Sequence, residues 1–443
     1  MEQVDLIINA DWVVPVEPRG AVYEDCAVAV AGGRIVALGP RAEIAAGFAA
    51  RETLNRPQHV LLPGLINAHT HAAMTLLRGI ADDIPLEKWL GEHIWPAEAR
   101  WASTEFVRDG TELAIAEMLL GGTTCFQDMY FCPDIVAEVA VERHIRAVVG
   151  MIVLEVPSVW AQTAAEYIDK GLAVHDRFRG HELVHATFAP HAPYTVSDAT
   201  FERIRVLADE LDTHVHIHVH ETAEEVATAV AEHQQRPLQR LDRLGLVSPQ
   251  LTAVHMTQLD DEEFGLLADR GVSVVHCPES NLKLASGFCP VARLAAAGVN
   301  VALGTDGAAS NNDLDMFAEL RTAALLGKGV ADDAAALDAE QVLEMATLNG
   351  ARAVGLADEI GSLVPGKSAD LIAVDLGVPS CRPIHHVVSQ LVYSASRDQV
   401  ADVWVAGRAV VADSELQTVN AADIMERADA WQRRIAETDE RID

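Results

Sequence analysis

The sequence contains the stretch H-V-L-L-P-G-L-I-N-A-H-T-H at residues 59–71, an apolar run that ends in His69 and His71. Its first part, His59–Ile66, is rich in aliphatic residues and predicts a buried strand. In an extended chain, residues i and i+2 point to the same side, so both imidazoles can reach one metal ion. We therefore interpret the end of this strand as a candidate metal site, with two surface histidines in a loop as the alternative.

Short apolar runs of this kind recur through the middle of the chain, and stretches of helical period separate them. Eight runs predict strands: His59–Ile66, Thr123–Gln127, Ala147–Leu154, Leu183–Ala189, His214–Val219, Leu251–Met256, Val272–His276 and Asn300–Gly304. Helices are predicted over Arg108–Leu120, Ile135–Arg143, Asp198–Leu211, Ala223–Ala231, Asp261–Asp269 and Asp315–Leu326. Eight strands alternating with helices are typical of a (β/α)8 barrel of the α/β class. A doubly wound parallel sheet is the competing fold.

The two ends of the chain have a different pattern, of short strands and tight turns. Strands are predicted over Val4–Ile8, Ala27–Val30, Arg34–Leu38, Leu371–Val374, Val403–Val405 and Ala409–Val411, and a terminal amphipathic helix over Ala421–Ile435. Gly32-Gly33 predicts a two-residue hairpin turn. Neither end is long enough for a well-covered sheet of its own. We therefore expect residues 1–60 and 365–443 to form one small β domain beside a barrel over residues 61–364.

The charge of the chain excludes several classes of partner. Lysine and arginine number 33 against 66 aspartates and glutamates, which gives a net charge of −33. Such a surface repels phosphate backbones and anionic lipids, so we expect neither nucleic acid nor a membrane as a partner. The six cysteines form no C-x-x-C pair, and the N-terminal segment carries acids where a signal peptide is basic. A cytoplasmic protein is the simplest interpretation.

The fifth predicted strand carries four histidines at every second position, and Glu221 follows it. Period-two alternation places His214, His216, His218 and His220 on one face, where they cannot all bind one ion. His218 and Glu221 have H-x-x-E spacing, which places a carboxylate beside a metal-bound water. We favour His218 over His220 as the ligand, because Glu221 directly follows His220 and would point elsewhere.

Two further polar residues follow predicted strands. His255 ends the sixth strand and Asp306 follows the eighth, although His255 alone could be structural and Asp306 could form a turn. In a barrel these strand ends meet at the catalytic rim. Taken together, the four candidate ligands supply the donor types of a catalytic zinc site with an open position, which Fe²⁺ or Mn²⁺ could also occupy: His69, His71, His218 and Asp306.

The sequence resembles a known family in these same motifs. P-G-L-I-N-A-H-T-H, the H-x-x-E-T at residues 218–222, the strand-end His255 and L-G-T-D-G at residues 303–307 resemble the amidohydrolase superfamily, in its branch of aminohydrolases and chlorohydrolases. That resemblance covers essentially the whole chain. It implies a (β/α)8 barrel with a small β-sandwich built from both chain ends.

Finer segments are similar to the 5′-methylthioadenosine/S-adenosylhomocysteine deaminases of that branch. They are H-A-A-M-T-L-L-R-G at residues 71–79, L-E-K-W-L at 86–90, W-P-A-E at 95–98, P-H-A-P-Y-T-V at 190–196 and D-G-A-A-S-N-N at 306–312. The resemblance implies metal binding by His69, His71, His218 and Asp306. It also implies deamination at C6 of an adenine nucleoside, while the quoted motifs leave the 5′ substituent open.

The resemblance further implies roles for individual pocket residues. Glu98 would hold the ribose hydroxyls, while Trp89, His191 and Ser310 would line the nucleoside pocket. Glu98 could instead be solvated in its charged stretch, and Trp89 could simply pack in the core. Some members use a pocket arginine, for which Arg146 is a candidate.

A mechanism and its alternatives complete the expectations. Glu221 would carry a proton from the attacking water to purine N1, and His255 and Asp306 would orient that water and stabilise the adduct. The alternative is a related aminohydrolase acting on guanine, 8-oxoguanine, a pterin or a triazine. A non-catalytic scaffold is disfavoured because neither a ligand nor the proton-transfer acid is missing. A small-molecule nucleoside is the expected partner, and the family resemblance implies a homo-oligomer.

Overall fold

The computed structural model describes residues 1–439, so the last four residues of the predicted 365–443 segment lie outside the described residues. The chain begins with four strands of a mixed sheet: β1 Glu2–Val13, β2 Tyr23–Ala31, β3 Arg34–Pro40 and β4 Phe48–Pro63. Side chains alternate between the two faces of this sheet, with Ile8, Val28 and Val30 in one apolar cluster. Ile7 and Ala27 lie in another cluster, so both faces are buried.

Eight parallel strands follow in the middle of the chain and form the barrel. They are β5 Leu65–Thr70, β6 Thr123–Asp128, β7 Arg146–Val153, β8 Val184–Pro190, β9 Val215–Val219, β10 Leu251–His255, β11 Ser273–His276 and β12 Asn300–Leu303. They are hydrogen-bonded in sequence order from β5 to β12. The predicted (β/α)8 barrel is confirmed, and the doubly wound alternative is wrong, because sequence order around the sheet shows no reversal.

The barrel closes where its last strand meets its first. Asn67 donates from Nδ2 to Thr305 Oγ1 at 2.7 Å, and its Oδ1 accepts from the Thr305 backbone at 3.0 Å. The Asp306 amide donates to the His69 carbonyl at 3.0 Å. Gly304 permits this approach, because a Cβ there would lie 2.8 Å from the His69 nitrogen. Closure therefore depends on backbone contact next to the candidate ligands.

The last strands return to the mixed sheet: β13 Leu371–Asp375, β14 Val400–Val405, β15 Arg408–Ala412 and β16 Glu415–Leu416. The sheet has the order β16-β15-β14-β13-β4-β1-β2-β3, so β4 joins the two chain ends by pairing with β13 and β1. The strands from both ends thus form one continuous mixed sheet. The predicted turn at Gly32-Gly33 is confirmed, with φ values of 56° and 76° that a type I′ turn requires.

The run predicted as one strand over His59–Ile66 is divided between the two sheets. Residues up to Pro63 belong to β4, and the first barrel strand begins at Leu65, with Gly64 between them. No strand was expected over Phe48–Gln58, because this segment alternates half-exposed and exposed polar residues without an apolar run. The mixed sheet therefore contains one more long strand than the sequence predicts.

The helices surround the barrel and extend the predicted set. They are α1 Arg41–Gly47, α2 Leu86–Lys88, α3 Trp95–Trp101, α4 Thr104–Leu120, α5 Pro133–Arg143, α6 Ala164–Phe178, α7 Asp198–Leu211, α8 Ala223–His233, α9 Pro237–Arg243, α10 Asp261–Arg270, α11 Pro278–Lys283, α12 Val291–Ala296, α13 Met316–Ala331, α14 Ala339–Met345, α15 Leu348–Ala353, α16 Val387–Tyr393 and α17 Ala421–Asp439. Shorter turns occur at Ala72–Leu77, Pro379–Cys381 and Arg397–Gln399, with a π-helical turn at Trp89–Ile94. Across residues 1–439, none of these helices combines the length and apolarity needed to cross a bilayer.

Local chemistry explains where representative helices begin and pack. α4 begins at Thr104, four residues before the predicted start, because Ser103 Oγ accepts from the Phe106 amide at 3.1 Å as an N-cap. The terminal helix α17 packs on α4 through the buried Trp431, whose indole nitrogen donates to Asp109 Oδ2 at 2.9 Å. The predicted amphipathic helix at the end of the chain is thus confirmed and extends to Asp439.

Arg146 lies far from the pocket for which it was a candidate, so that expectation is wrong. It starts β7, at the end of the barrel opposite the rim, and forms a bidentate ion pair with Asp370 at 2.9 and 3.1 Å. Asp370 Oδ1 also accepts from Ser368 Oγ and from the Ala406 amide. All of this pair is buried, and it links the barrel to the mixed sheet.

Arg146→Ala leaves the Asp370 carboxylate buried without its counter-ion, so we expect a loss of about 3–5 kcal/mol in the free energy of unfolding. The matched control is Arg19→Ala, because the Arg19–Asp338 pair is about half exposed (52% and 53%), and such pairs contribute less than about 1 kcal/mol. Urea denaturation measures both. Equal losses in the two variants would contradict a structural role for the Arg146–Asp370 pair.

Candidate metal centre and adjoining cavity

Four side chains from three barrel strands converge at the carboxyl-terminal rim. One ligand atom each from His69, His71, His218 and Asp306 lies within 4.8 Å of every other. His69 Nε2 is 3.1 Å from His218 Nε2 and 3.4 Å from Asp306 Oδ1, and His71 Nε2 is 3.2 Å from the same oxygen. Three imidazoles and a carboxylate at these separations are the donor set of a divalent metal site.

The other ring nitrogens show that this set fits a metal ion. His71 Nδ1 donates to the Met129 carbonyl at 2.6 Å, and His218 Nδ1 donates to the His191 carbonyl at 2.9 Å. A carbonyl can only accept, so these Nδ1 atoms carry the protons and each Nε2 presents a lone pair to the centre. His69 Nδ1 is hydrogen-bonded to His216 Nε2 at 2.8 Å.

The fourth ligand is held by its own network. Asp306 Oδ2 accepts from Ser280 Oγ at 2.7 Å, while Oδ1 accepts from the Gly307 amide at 2.8 Å and faces the histidines. Burial alone would raise the pKa of Asp306, but its contacts with the His69 and His71 imidazoles hold it well below the usual range. The aspartate is therefore ionised and ready to act as a ligand.

The four histidines predicted to share one face have different positions and contacts in the structure. His216 supports His69, and His218 lies in the cluster, while His214 lies near Gly355 at the other end of the strand. His220 has a φ of 56°, which turns its ring away from the cluster towards Glu263. Its Nε2 accepts from the Leu238 amide at 3.1 Å. His218 rather than His220 thus stands beside the other ligands.

Glu221 and His255 lie together beside the ligand cluster. Glu221 Oε2 is 3.8 Å from His255 Nε2, and its other oxygen accepts from Ser286 Oγ at 3.5 Å. Burial raises the pKa of Glu221 above its ordinary value, which makes this carboxylate a stronger proton acceptor than an exposed glutamate. His255 Nδ1 donates to Asn281 Oδ1 at 2.9 Å, which leaves Nε2 towards Glu221.

Backbone strain accompanies this arrangement. His255 and Asp306 have φ values of 77° and 61°, in the left-handed region that residues with a Cβ rarely adopt. Such conformations persist only where surrounding contacts enforce them. Here they turn both side chains from the strand ends towards the cluster.

A cavity of about 410 Å³ opens over the cluster. All four residues expected to bind substrate line it: Trp89, Glu98, His191 and Ser310. The Trp89 indole nitrogen donates to the Ala81 carbonyl at 3.1 Å, so this side chain offers the cavity an apolar ring. His191 Nδ1 is hydrogen-bonded to Thr195 Oγ1 at 3.1 Å, and Ser310 Oγ donates to the Gly307 carbonyl at 3.0 Å.

Glu98 is buried in the wall of this cavity and is not solvated. Burial raises its pKa to about 7, opposed by Tyr130 and by the charge of His71. Burial likewise lowers the pKa of His191 to about 3, with the charges of His71 and His69 adding to the effect. At neutral pH the cavity therefore offers an uncharged imidazole and a carboxyl close to its titration point.

Three residues of the site were missed in the sequence. Tyr130 lines the cavity with a buried hydroxyl beside Glu98, and it lies two residues after strand β6. Its strand-end position is the signal that could have identified it. Ser280 and Asn281, which hold Asp306 and His255, follow the strand-end His276 in the helix Pro278–Lys283, where no pattern distinguishes them from ordinary N-terminal helix residues.

The fold and the site together define a hydrolase barrel with a metal-ligand cluster at its catalytic rim. The family model of the amidohydrolase family matches residues 60–410. The chain belongs to this family.

Individual relatives are similar over nearly their whole length. The chain is 52% identical over 432 residues to a 5-methylthioadenosine/S-adenosylhomocysteine deaminase of Teredinibacter turnerae, covering 98% of each protein. A protein of the same name from Saccharophagus degradans is 51% identical over 431 residues, with 97% of each covered. A solved adenosine deaminase from Xanthomonas campestris with bound zinc has a TM-score of 0.98 at 56% identity, covering 98% of this chain and 99% of that chain.

We expect His216→Gln to weaken divalent metal binding by about 10- to 100-fold, because it disturbs the partner that orients His69. His214→Gln is the matched control, since His214 directly precedes the same strand and lies near Gly355, outside the ligand cluster. Competition with a chromophoric chelator measures the affinity. Equal affinities in the two variants would show that His216 does not support the ligand.

Proposed function

We propose that this chain hydrolytically deaminates C6 of adenine nucleosides, 5′-methylthioadenosine and S-adenosylhomocysteine among them, to the inosine analogue and ammonia. The observation that carries the proposal is a single cavity in which the ligand cluster, Glu221 and Glu98 all meet. The relatives named above support the substrate class.

The proposed ligands are His69, His71, His218 and Asp306, and zinc is the proposed ion because the Xanthomonas campestris protein was crystallised with it. When bound there, a divalent ion supplies Lewis acidity that makes water a nucleophile near neutral pH. Iron(II) or manganese(II) would also suit this donor set.

Glu221 is the proposed proton carrier. Its carboxylate takes a proton from the attacking water and delivers it to purine N1, which makes C6 more electrophilic as the water oxygen adds. The proton that remains on the new C6 hydroxyl then passes to the exocyclic nitrogen. The C6–N bond breaks as the C6 carbonyl forms, and ammonia leaves. The raised pKa of Glu221 suits a group that must hold the proton between these steps.

His255 and Asp306 are proposed to orient the attacking water. The Asn281 contact fixes the proton of His255 on Nδ1, so Nε2 can accept a hydrogen bond from the water beside Glu221. Asp306, an ionised acceptor held by Ser280, is the alternative acceptor, because the water has one proton left beside the one that Glu221 takes. A fixed acceptor aligns the oxygen lone pair with C6 at no further ordering cost.

The rest of the cavity is proposed to hold the nucleoside. Glu98 accepts hydrogen bonds from the ribose hydroxyls, and the Tyr130 hydroxyl beside it is a further partner. Trp89 packs against the substrate as an apolar wall, and His191 offers its neutral ring. Ser310 completes the wall beside Asp306.

Glu98 also separates this proposal from its nearest alternative. An aminohydrolase of guanine, 8-oxoguanine, a pterin or a triazine has no sugar diol to hold. A buried carboxyl without a diol to bind would carry its desolvation cost for no gain.

Location and assembly are proposed separately. We propose the cytoplasm, because all six cysteines are buried free thiols, as expected in a reducing compartment. A homo-oligomer is proposed on the resemblance to the family alone.

We expect Glu221→Gln to lower kcat for 5′-methylthioadenosine by about 10²- to 10⁴-fold, because the amide cannot carry the proton. Metal content should stay unchanged, since Glu221 lies outside the ligand cluster. Ammonia release and metal analysis of the same preparation check both. A variant with normal metal content and near-normal kcat would remove Glu221 from the mechanism.

We expect Glu98→Ala to lower kcat/KM for 5′-methylthioadenosine by at least tenfold, since a hydrogen bond to a charged group contributes about 1.5–3 kcal/mol. A change within about twofold would exclude a role in holding ribose.

The pKa of Glu98 adds a pH dependence to this role. Because burial raises that pKa to about 7, the carboxylate is present above this pH and is lost as the pH falls through it. KM of the unaltered enzyme should therefore rise between pH 8 and pH 6, where an ordinary glutamate stays ionised. Glu98→Gln cannot ionise, so its KM should be flat over this range; a rise in both proteins would assign the titration to another group.

A further inference from the structure

We propose that the site discriminates against adenine nucleosides whose 5′ group carries a carboxylate, and therefore prefers 5′-methylthioadenosine and adenosine to S-adenosylhomocysteine. This preference rests on the proposed function and specifies its substrate class. Two features carry it: away from the metal ligands, the described residues that line the cavities include no lysine and no unengaged arginine, and carboxyl groups outnumber cationic groups there.

Away from the metal ligands, the main cavity offers a carboxylate no counter-ion. Among the described residues, its lining includes Glu98, Glu221 and Asp306 but neither lysine nor arginine. Its outer rim is apolar, with Trp95, Val156, Val159 and Tyr194 all about half exposed to solvent. A carboxylate crossing this rim would lose hydration without gaining a partner.

A second cavity of about 290 Å³ adjoins the first and shares Leu86, Leu90, Trp95, Tyr194 and Glu221 with it. Its other ionisable walls include Glu87, Glu225, Glu232, Arg240 and His233, and His233 Nε2 lies 3.9 Å from Glu232 Oε2. A 5′ substituent longer than the main cavity can extend either into this space or across the rim. In the first case its carboxylate would face more carboxyl groups than cationic groups.

The one guanidinium in the second cavity is already engaged. Arg240 Nε donates to Asp198 Oδ1 at 2.7 Å, and its other nitrogens donate to the carbonyls of Pro193 and Val196 at 2.5 and 3.0 Å. Arg146, the expected pocket arginine, is bound to Asp370 at the opposite end of the barrel. Neither can turn to a substrate carboxylate without breaking buried hydrogen bonds.

The experiment compares kcat/KM of the metal-loaded enzyme for adenosine, 5′-methylthioadenosine, S-adenosylhomocysteine and the α-carboxamide of S-adenosylhomocysteine. The carboxamide has the same length and ammonium group but no negative charge. We expect S-adenosylhomocysteine to be at least tenfold poorer than both the carboxamide and 5′-methylthioadenosine. Raising the ionic strength should narrow the difference, because salt screens like-charge repulsion.

A gain-of-function variant tests the same cause. Val156 is 57% exposed on the rim, so Val156→Arg adds a cation without filling the core. We expect it to raise kcat/KM for S-adenosylhomocysteine at least fivefold while 5′-methylthioadenosine stays within twofold. The neutral Val156→Gln is the matched control and should raise kcat/KM for neither S-adenosylhomocysteine nor 5′-methylthioadenosine.

The outcomes separate the two proposals. If neither adenosine nor 5′-methylthioadenosine is deaminated, the proposed function itself is wrong. If both are deaminated and the kcat/KM for S-adenosylhomocysteine equals that for its carboxamide, the proposed function stands and the proposed discrimination is overturned.

Discussion

The contact between the first and last barrel strands is the constraint on which the site depends. Asn67 and Thr305, which are 238 residues apart in sequence, are hydrogen-bonded at 2.7 Å where the barrel closes. At the next residue, the Asp306 amide donates to the His69 carbonyl. The same backbone contact therefore closes the barrel and places a carboxylate ligand beside two imidazole ligands. A side chain at Gly304 would separate the strands at this point.

Barrel closure positions the ligand residues, and the hydrogen bonds around them determine which ring nitrogen of each histidine carries the proton. The Met129 and His191 carbonyls hold the Nδ1 protons of His71 and His218, while His216 holds His69. None of these partners touches the centre, yet each removes a rotation that would turn Nε2 away from it. The strained φ values of His255 and Asp306 are compatible with folding because such contacts are made on several sides.

The barrel, its strand ends and the ligand cluster could be predicted because apolar runs followed by histidine or aspartate are local patterns. Other features depend on partners distant in sequence. β4 was missed over its first residues because its half-polar pattern becomes a strand only between β1 and β13. No helix was predicted over Ala164–Phe178, where Gly171 lowers helix propensity and is accommodated by packing on Met151. Arg146 was misplaced because its partner, Asp370, lies in the other sheet.

The three acids of the cavity illustrate how environment rather than residue type assigns roles. Asp306, facing two imidazoles, keeps its pKa well below the usual range and suits a ligand. Glu221 has a raised pKa and lies beside the cluster, which suits the proton carrier proposed above. Burial raises the pKa of Glu98 to about 7, and this residue lies in the cavity wall, where a neutral polar group can pair with it. Carboxyls whose pKa values are driven apart within one cavity can act as ligand, proton carrier and binding group at the same pH. The net charge of −33 counts the acids of the whole chain, whereas the proposed chemistry depends on these three buried acids.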